Sequence, residues 1–193
     1  MKMINKKAVE KATLDLIVGL GLDPNDPNLI DSPKRIAKAY TETLAGLNQD
    51  GEEAEKLLSR TFPSTNDQMI IVKDIKVYSM CPHHFLPVDC TIHVGYVPKE
   101  KVLGLSKLAR VAELYARQPT LQEDLAENIA SSIEKYLKPQ GAMVVVEGQH
   151  YCMVMRGVKK RESTTITSCV KGVFRDPTEQ ARDEFLKLVY HPK

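Results

Sequence analysis

Residues 69–97 have the sequence MIIVKDIKVYSMCPHHFLPVDCTIHVGYV, in which two strand-like runs flank a loop that contains proline and histidine. The first run, 69–80, is rich in β-branched residues, and the second, 88–97, alternates like a half-buried strand. Further patterns follow along the chain, helical at 106–117, 120–137 and 176–190 and strand-like at 142–156 and 164–174. The order ββααββα predicts an α+β fold with a four-stranded antiparallel sheet, two helices inserted between its strands, and a C-terminal helix.

The part of the chain before this sheet region has helical patterns only. Apolar residues recur at spacings of one, three and four over 5–20, a second helix runs from 32 to about 47, and a short helix covers 52–58. We therefore predict an N-terminal helical extension over 1–65 and a second domain over 66–193.

The composition excludes several classes of protein. Of the 193 residues, 42% are hydrophobic and 27% are charged, and the formal net charge is +2. These values exclude general disorder and argue against a nucleic-acid-binding or polybasic membrane-binding protein. No run approaches the roughly 20 apolar residues of a spanning helix, and Asp15 interrupts the N-terminal apolar stretch, which argues against a signal peptide. Four scattered cysteines are not typical of a disulfide framework, so we predict a cytoplasmic location with thiols free for metal binding or catalysis.

The loop after the first strand has the composition of a metal site. Two residues separate Cys81 from His84, which lets a thiolate and an imidazole bind the same ion. Cys152 would be a third ligand, and Cys2His is a catalytic zinc set with water in the fourth position. The alternative is a closed Cys3His shell in which Cys90 is the fourth ligand and zinc only stabilises the fold. Spacing alone does not decide between these two kinds of site.

Two histidines that are not in this ligand set are candidates for proton transfer. On a continuous strand, His150, Cys152 and Arg156 share a face, so His150 would lie roughly 7 Å from Cys152 and Arg156 roughly 13 Å away on the other side. His83 is adjacent to a predicted ligand. A single histidine is more often a core or surface residue, but two of them beside one metal loop favour catalysis.

A helix N-terminus and a carboxylate are candidates for binding an anion and a base. Ser106, Lys107 and Arg110 lie in the first turns of a predicted helix, where free N–H groups, a hydroxyl and two cations would bind phosphate. A solvated basic face is the alternative. Glu123 would accept hydrogen bonds from the N–H and NH2 groups of a guanine edge, but spacing alone favours a capping box with Thr120.

Several longer motifs occur in a defined order. They are DSPKRIAKAY at 31–40, CPHHFLP at 81–87, HVGYVP at 93–98, GLSKLAR at 104–110, Gln122-Glu123, HYCMVMRG at 150–157 and TTITS at 164–168. In order and spacing these motifs resemble the GTP cyclohydrolase I family over residues 20–190. The sequence departs from the usual family pattern at Pro82, Cys90 and Asp124, and Asp124 replaces a cation near the base site.

The resemblance implies an enzyme that hydrolyses GTP to 7,8-dihydroneopterin triphosphate and formate, the first step of folate or pterin synthesis. It implies that 66–193 is a tunnelling-fold catalytic domain with a ββααββ core, and that the chain forms a homodecamer with GTP sites at subunit interfaces. Zn2+ would be held by Cys81, His84 and Cys152, and the catalytic residues would be His83 and His150. The substrate-binding residues would be Gln122 and Glu123 at the guanine edge and Ser106, Lys107, Arg110 and Arg156 at the triphosphate.

A second reading belongs to a different class of protein. A non-catalytic, zinc-stabilised oligomeric protein of the same fold would bind a purine or pterin without turning it over. His83 and His150 argue against this reading, because zinc binding does not need them.

Overall fold

The computed structural model describes residues 4–48 and 52–191. The chain divides into two compact units, 1–50 and 51–193. No helix among the described residues is long and apolar enough to cross a bilayer. The predicted boundary after residue 65, between a helical extension and a catalytic domain, stays a prediction.

The described residues of the first unit, 4–48, form two helices and a short 3-10 turn. Helix α1 spans Lys6–Gly19 and begins where the side chain of Asn5 accepts a hydrogen bond of 3.1 Å from the backbone N–H of Ala8. Helix α2 spans Ser32–Thr43, and the 3-10 turn spans Ala45–Asn48. The predicted second helix is therefore shorter than expected, since Leu44 leaves the helical conformation with φ −107° and ψ 30°.

The second unit contains the sheet. Its elements in chain order are α3 (Glu52–Leu58), β1 (Thr61–Pro63), β2 (Ile70–Met80), β3 (Pro87–Val97), β4 (Lys101–Leu103), α4 (Ser106–Ala116), α5 (Gln122–Leu137), β5 (Gly141–His150), α6 (Tyr151–Val154), β6 (Thr165–Gly172) and α7 (Ala181–Tyr190). The four long strands form one sheet in the order β2-β3-β5-β6, and every neighbouring pair is antiparallel. The predicted α+β class and the four-stranded antiparallel sheet are confirmed.

The two faces of the sheet are covered by different helices. Ile92 and Val94 of β3 and Val146 of β5 are fully buried in the core that the sheet shares with α4 and α5. On the opposite face, Met143 and Val145 pack in a smaller core with Phe185 of α7. This arrangement follows from the period of two in a strand, which sends neighbouring side chains to opposite faces.

Several details differ from the sequence predictions. The predicted strand 142–156 ends at His150, and the chain continues as the helical turn α6. The C-terminal helix begins at Ala181, not at Asp176, because the Asp176 carboxylate accepts hydrogen bonds from the backbone N–H and the hydroxyl of Thr178 and closes a turn there. The predicted capping box is wrong: Leu121 is the N-cap residue of α5, and the Thr120 hydroxyl donates to the Leu121 carbonyl.

Candidate metal centre and substrate site

A tight loop after β2 brings two histidines close to Cys81. The Cys81 carbonyl accepts a 2.9 Å hydrogen bond from the Phe85 N–H, and the Cys81 N–H donates to the Leu86 carbonyl at 2.9 Å. Phe85 has a φ of +51°, and this left-handed residue turns the chain back towards β3. As a result, His84 Nδ1 lies 3.7 Å and His83 Nδ1 lies 4.0 Å from Cys81 Sγ.

Cys152 completes a group of three candidate metal ligands. Pairing of Val88 with His150 brings the start of β3 beside the end of β5, so the loop after β2 meets the helical turn α6. One ligand atom from each of Cys81, His84 and Cys152 lies within 4.8 Å of the other two. The ligands of a tetrahedral zinc ion, with bonds of about 2.0–2.3 Å, are separated by about 3.3–3.8 Å, so this group fits such an ion after small side-chain adjustments.

The chemistry of the donors also fits a soft divalent metal. Two thiols and one imidazole form the Cys2His set, which favours zinc over hard cations such as magnesium. Burial, together with the neighbouring Cys81 thiol, raises the pKa of Cys152, and a bound cation counters this by favouring the thiolate. Within the described residues, this is the group of three or more histidine, cysteine or acidic side chains that could hold an ion.

Cys90 lies outside this group. It lies on β3 opposite Val77 and Gly148, and its side chain is 1% exposed in the hydrophobic core. Burial raises the pKa of the Cys90 thiol to about 12, which is unfavourable for a thiolate ligand. These observations oppose the closed Cys3His alternative.

Arg156 contacts the metal loop directly. Its Nη1 donates a 2.7 Å hydrogen bond to His84 Nε2. The expected separation of roughly 13 Å from Cys152 assumed a continuous strand, and that assumption is wrong because α6 is a helical turn. A guanidinium group can only donate, so in this arrangement His84 Nε2 accepts and its other ring nitrogen, Nδ1, faces Cys81.

His150 is held by a buried amide. Its Nε2 lies 2.8 Å from the Oε1 of Gln122, whose side chain is buried at the start of α5. Burial lowers the pKa of His150, although the negative charge of Glu123 opposes this effect. The Gln122 amide nitrogen donates to the carbonyls of Val146 and Thr165, both at 2.9 Å. A guanine edge, which Gln122 was predicted to bind, would therefore have to compete with these internal partners for the Gln122 amide.

Glu123 lines a cavity between α5 and β6. It lies in the first turn of α5, its side chain is exposed, and the capping role expected for it is absent. The cavity has a volume of about 540 Å³, within the range of small-molecule sites. Its lining residues are Glu123, Asp124, Glu127, Thr167, Ser168, Cys169, Val170 and Arg175.

Ser106, Lys107 and Arg110 lie together in the first turns of α4. Ser106 and Arg110 are exposed, and Lys107 is partly buried. In the described part of this chain, no hydrogen bond or ion pair is observed between these three side chains and the Cys81, His84 and Cys152 group. The structure therefore assembles the candidate metal ligands within one chain and places Arg156 beside them, while the other three predicted phosphate ligands lie on α4.

The sequence analysis missed Arg175 and the partner of His150. Arg175 follows β6, donates a 2.7 Å hydrogen bond from Nε to the Val170 carbonyl, and adds a cation to the wall of the cavity. The sequence feature that could have indicated these contacts is the alternation of β6, which points Thr165, Thr167 and Cys169 towards α5. Without the sheet order, that alternation does not reveal which helix the strand faces.

The fold and the site together define a class of protein: an α+β sheet protein with a Cys2His group of the kind found in metal-dependent hydrolases. Comparison with known proteins gives the family. The chain belongs to the GTP cyclohydrolase I family, whose model matches residues 9–190.

Several curated relatives match nearly the whole chain. GTP cyclohydrolase 1 of Bacillus subtilis (strain 168) is 46% identical over 190 residues, covering 98% of both chains. The protein of the same name from Carboxydothermus hydrogenoformans is 46% identical, and the matched region covers 98% of this chain and 97% of that protein. A third, from Streptococcus thermophilus (strain CNRZ 1066), is 44% identical over 188 residues. The predicted family, tunnelling fold and GTP cyclohydrolase I function are therefore confirmed, against the non-catalytic alternative.

Proposed function

We propose that this chain is a zinc-dependent enzyme that converts GTP to 7,8-dihydroneopterin triphosphate and formate, and so begins folate or pterin synthesis. The observation that carries this proposal is the convergence of Cys81, His84 and Cys152 within 4.8 Å, beside two histidines that a metal does not need. Membership of the family supports the reaction, and the Cys2His donor set supports the metal.

Cys81, His84 and Cys152 would hold the ion. Zn2+ bound by three protein ligands lowers the pKa of a water molecule in the fourth position to near neutrality and so supplies hydroxide for hydrolysis. A neutral imidazole that binds a metal through Nδ1 carries its proton on Nε2, so His84 would no longer accept a hydrogen bond from Arg156. Metal binding would therefore release the Arg156 guanidinium for the triphosphate.

His83 and His150 would transfer the protons. Hydrolysis at C8 of guanine breaks bonds to ring nitrogens, and each nitrogen needs a proton as its bond to C8 breaks. His83 Nδ1 lies 4.0 Å from Cys81 Sγ. His150 ends β5 two residues before Cys152 along the chain. Histidine suits this role, because an imidazole can deliver a proton and accept one in the same reaction near neutral pH.

Glu123 would bind the base, and four residues would bind the phosphates. The Glu123 carboxylate can accept two parallel hydrogen bonds from the N1–H and 2-amino groups of guanine, which adenine cannot provide. The triphosphate would be bound by Ser106, Lys107, Arg110 and Arg156, with the N-terminus of α4 contributing its dipole.

A site shared between subunits agrees with the position of Ser106, Lys107 and Arg110 on α4, where, in the part of the chain that the structure describes, they have no observed hydrogen bond to the metal group of the same chain. In the described residues, β2 pairs along its length only with β3 and β6 only with β5, so both outer strands of the sheet have an edge available to another chain. We propose a homodecamer in which the phosphate ligands on α4 of one subunit meet the metal group of another. A cytoplasmic location agrees with the four cysteines, which are all free thiols.

One assay tests the proposed function directly. Purified protein is incubated with GTP, and formate is measured together with the fluorescent pterin that forms after oxidation. We expect both products in equal amounts, about one zinc per chain, loss of turnover after chelation, and recovery when zinc is added back. Turnover of GTP without formate release, or full activity in metal-free protein, would contradict the proposal.

A further inference from the structure

We infer that Gln122 is a positioning residue that holds His150 as its Nε2–H tautomer, so that protons exchanged with the substrate enter and leave at Nδ1. The catalytic consequence rests on the proposed function of His150. The tautomer itself is a property of the protein without substrate, and it can be measured whether or not GTP is turned over.

The orientation of the Gln122 amide follows from its partners. One end of the amide lies 2.9 Å from the Val146 carbonyl oxygen and 2.9 Å from the Thr165 carbonyl oxygen. Carbonyl oxygens only accept hydrogen bonds, so this end must be the NH2 group. The opposite orientation would place the amide oxygen against two carbonyl oxygens and lose both of these hydrogen bonds.

The amide orientation in turn determines the state of His150. The oxygen end of Gln122 faces His150 Nε2 at 2.8 Å, and an amide oxygen can only accept. The hydrogen of this contact must therefore belong to Nε2, in the neutral ring as well as in the imidazolium. When His150 is neutral, Nδ1 has the lone pair and is the nitrogen that can take up a proton.

The contact is held rigidly by three elements. Gln122 is the first residue of α5 and is 5% exposed, and its amide nitrogen bonds to β5 and β6, including Thr167 Oγ1 at 3.2 Å. Gly148 makes the room for it, since a Cβ at that position would lie 2.2 Å from Gln122 Oε1 and 3.0 Å from its Cδ. The side chain therefore has no alternative position that keeps its hydrogen bonds.

These contacts also separate the role of Gln122 from that of Glu123. Both hydrogens of the Gln122 amide face backbone carbonyls and its oxygen faces His150, so the amide has no donor left for a guanine edge. Glu123, the next residue, lines the cavity with an exposed carboxylate. The two adjacent residues would therefore have different roles: Glu123 would bind the base, and Gln122 would orient His150.

Nitrogen spectroscopy of the full-length, zinc-loaded protein tests the tautomer without GTP. The protein is labelled with 15N-histidine and studied at about pH 8, where histidines are mostly neutral. The His150 signals are assigned by their absence in His150→Gln. We expect the proton on Nε2 in the wild type and a mixture of tautomers in Gln122→Met, which keeps the size of the side chain but loses its polar atoms. A proton on Nδ1 in the wild type would overturn the inference, even if Gln122→Met did not fold.

Kinetics and binding distinguish positioning from substrate contact, with Glu123→Gln as the matched control. In Gln122→Met we expect kcat to fall by about 10- to 100-fold while the Kd for GTP stays within about threefold. In Glu123→Gln we expect GTP binding to weaken by about 10-fold or more, with the His150 tautomer unchanged. If Gln122→Met weakened GTP binding as strongly as Glu123→Gln and kept the tautomer, Gln122 would be a guanine ligand and the inference would be wrong. A wild type that lacked GTP turnover would contradict the proposed function and leave the spectroscopic result to decide the tautomer.

Discussion

At the scale of single residues, His83 and His150 distinguish a catalytic centre from a structural metal site. The three ligands do not need either histidine, but the chemistry at guanine needs proton transfer. We expect His83→Ala and His150→Ala each to lower turnover by about 10²- to 10⁴-fold, with zinc content near one per chain. Formate release and metal analysis measure the two quantities. Metal loss in these variants would instead identify the histidines as ligands.

Cys90 and Cys152 provide a second test, because the same substitution should have opposite effects at the two positions. Cys152 belongs to the ligand group, whereas Cys90 is buried on β3 with a pKa raised to about 12. We expect Cys152→Ser to lose zinc and activity, and Cys90→Ser to keep both at a small cost in stability. Zinc per chain is the measurement. A metal-free Cys90→Ser protein that remained folded would support the closed Cys3His shell.

The sequence predicts contacts between side chains well where local spacing determines them and poorly where the sheet determines them. Cys81 and His84 meet because the five-residue turn 81–85 brings them together, and this turn is encoded within the loop itself. The family resemblance places Gln122 at the guanine edge, and its observed partners, Val146 and Thr165, are 24 and 43 residues away along the chain. No local pattern reveals those partners before the pairing of β5 with β6 is known.

At the scale of elements, helical and strand periodicity predict the core of the fold, and the missed boundaries have a common cause. The run from His150 to Gly157 continues the alternation of β5 in the sequence, yet β5 ends at His150. Pairing with β3 ends at Val88 and His150, and pairing with β6 begins only at Gly148 and Thr165. Beyond that point the backbone has no strand partners for its N–H and C=O groups, and a helical turn satisfies them locally.

His93 connects four elements on the face of the sheet that α7 covers. Its Nδ1 accepts a 3.2 Å hydrogen bond from the backbone N–H of Asp74, in the irregular part of β2, and its Nε2 lies 3.6 Å from a Glu147 oxygen on β5. The ring of Tyr190 at the end of α7 lies 5.9 Å from the ring of His93. Burial lowers the pKa of His93, although the negative charges of Glu147 and Asp74 oppose this effect. Lys73 adds to the lowering, and it also caps α7 by donating to the carbonyls of Leu188 and Val189.

This environment predicts a stability that depends on pH. Because the pKa of His93 is below 6.5 in the folded state, the unfolded chain binds more protons as the pH falls below that value. The contribution of His93 is therefore complete above pH 6.5 and is lost as the pH falls through its folded pKa. We expect the free energy of unfolding to decrease less steeply in His93→Gln than in the wild type between about pH 7 and pH 5. Urea unfolding at one protein concentration measures the difference, and parallel curves for the two proteins would contradict it.

At the scale of the whole molecule, the proposed phosphate ligands on α4 have, within residues 4–48 and 52–191, no observed hydrogen bond to the metal group of the same chain, whereas Arg156 has one. Among the described residues, the four-stranded sheet also has two outer edges, formed by the strands β2 and β6. Closing those edges against other subunits is the common solution for such a sheet, since an uncovered edge pairs with other chains. Neither feature can be read from periodicity, because both depend on the order of the strands in the sheet and on where α4 lies relative to it.

A shared site predicts that two inactive variants restore each other when they assemble together. One variant is Cys152→Ser, which removes a proposed metal ligand, and the other is the double variant Lys107→Ala/Arg110→Ala, which removes two proposed phosphate ligands on α4. If each site combines the metal group of one subunit with α4 of another, random mixing gives about one quarter of the sites both intact parts. Co-expression of the two chains should then recover turnover of that order, although each variant alone has almost none.

The matched control is a mixture of the single variants Cys152→Ser and His83→Ala. Both defects lie in the same metal group, so no site in this mixture is intact. Absence of recovery in the first mixture, with mixed oligomers verified by mass, would mean that each chain forms a complete site by itself.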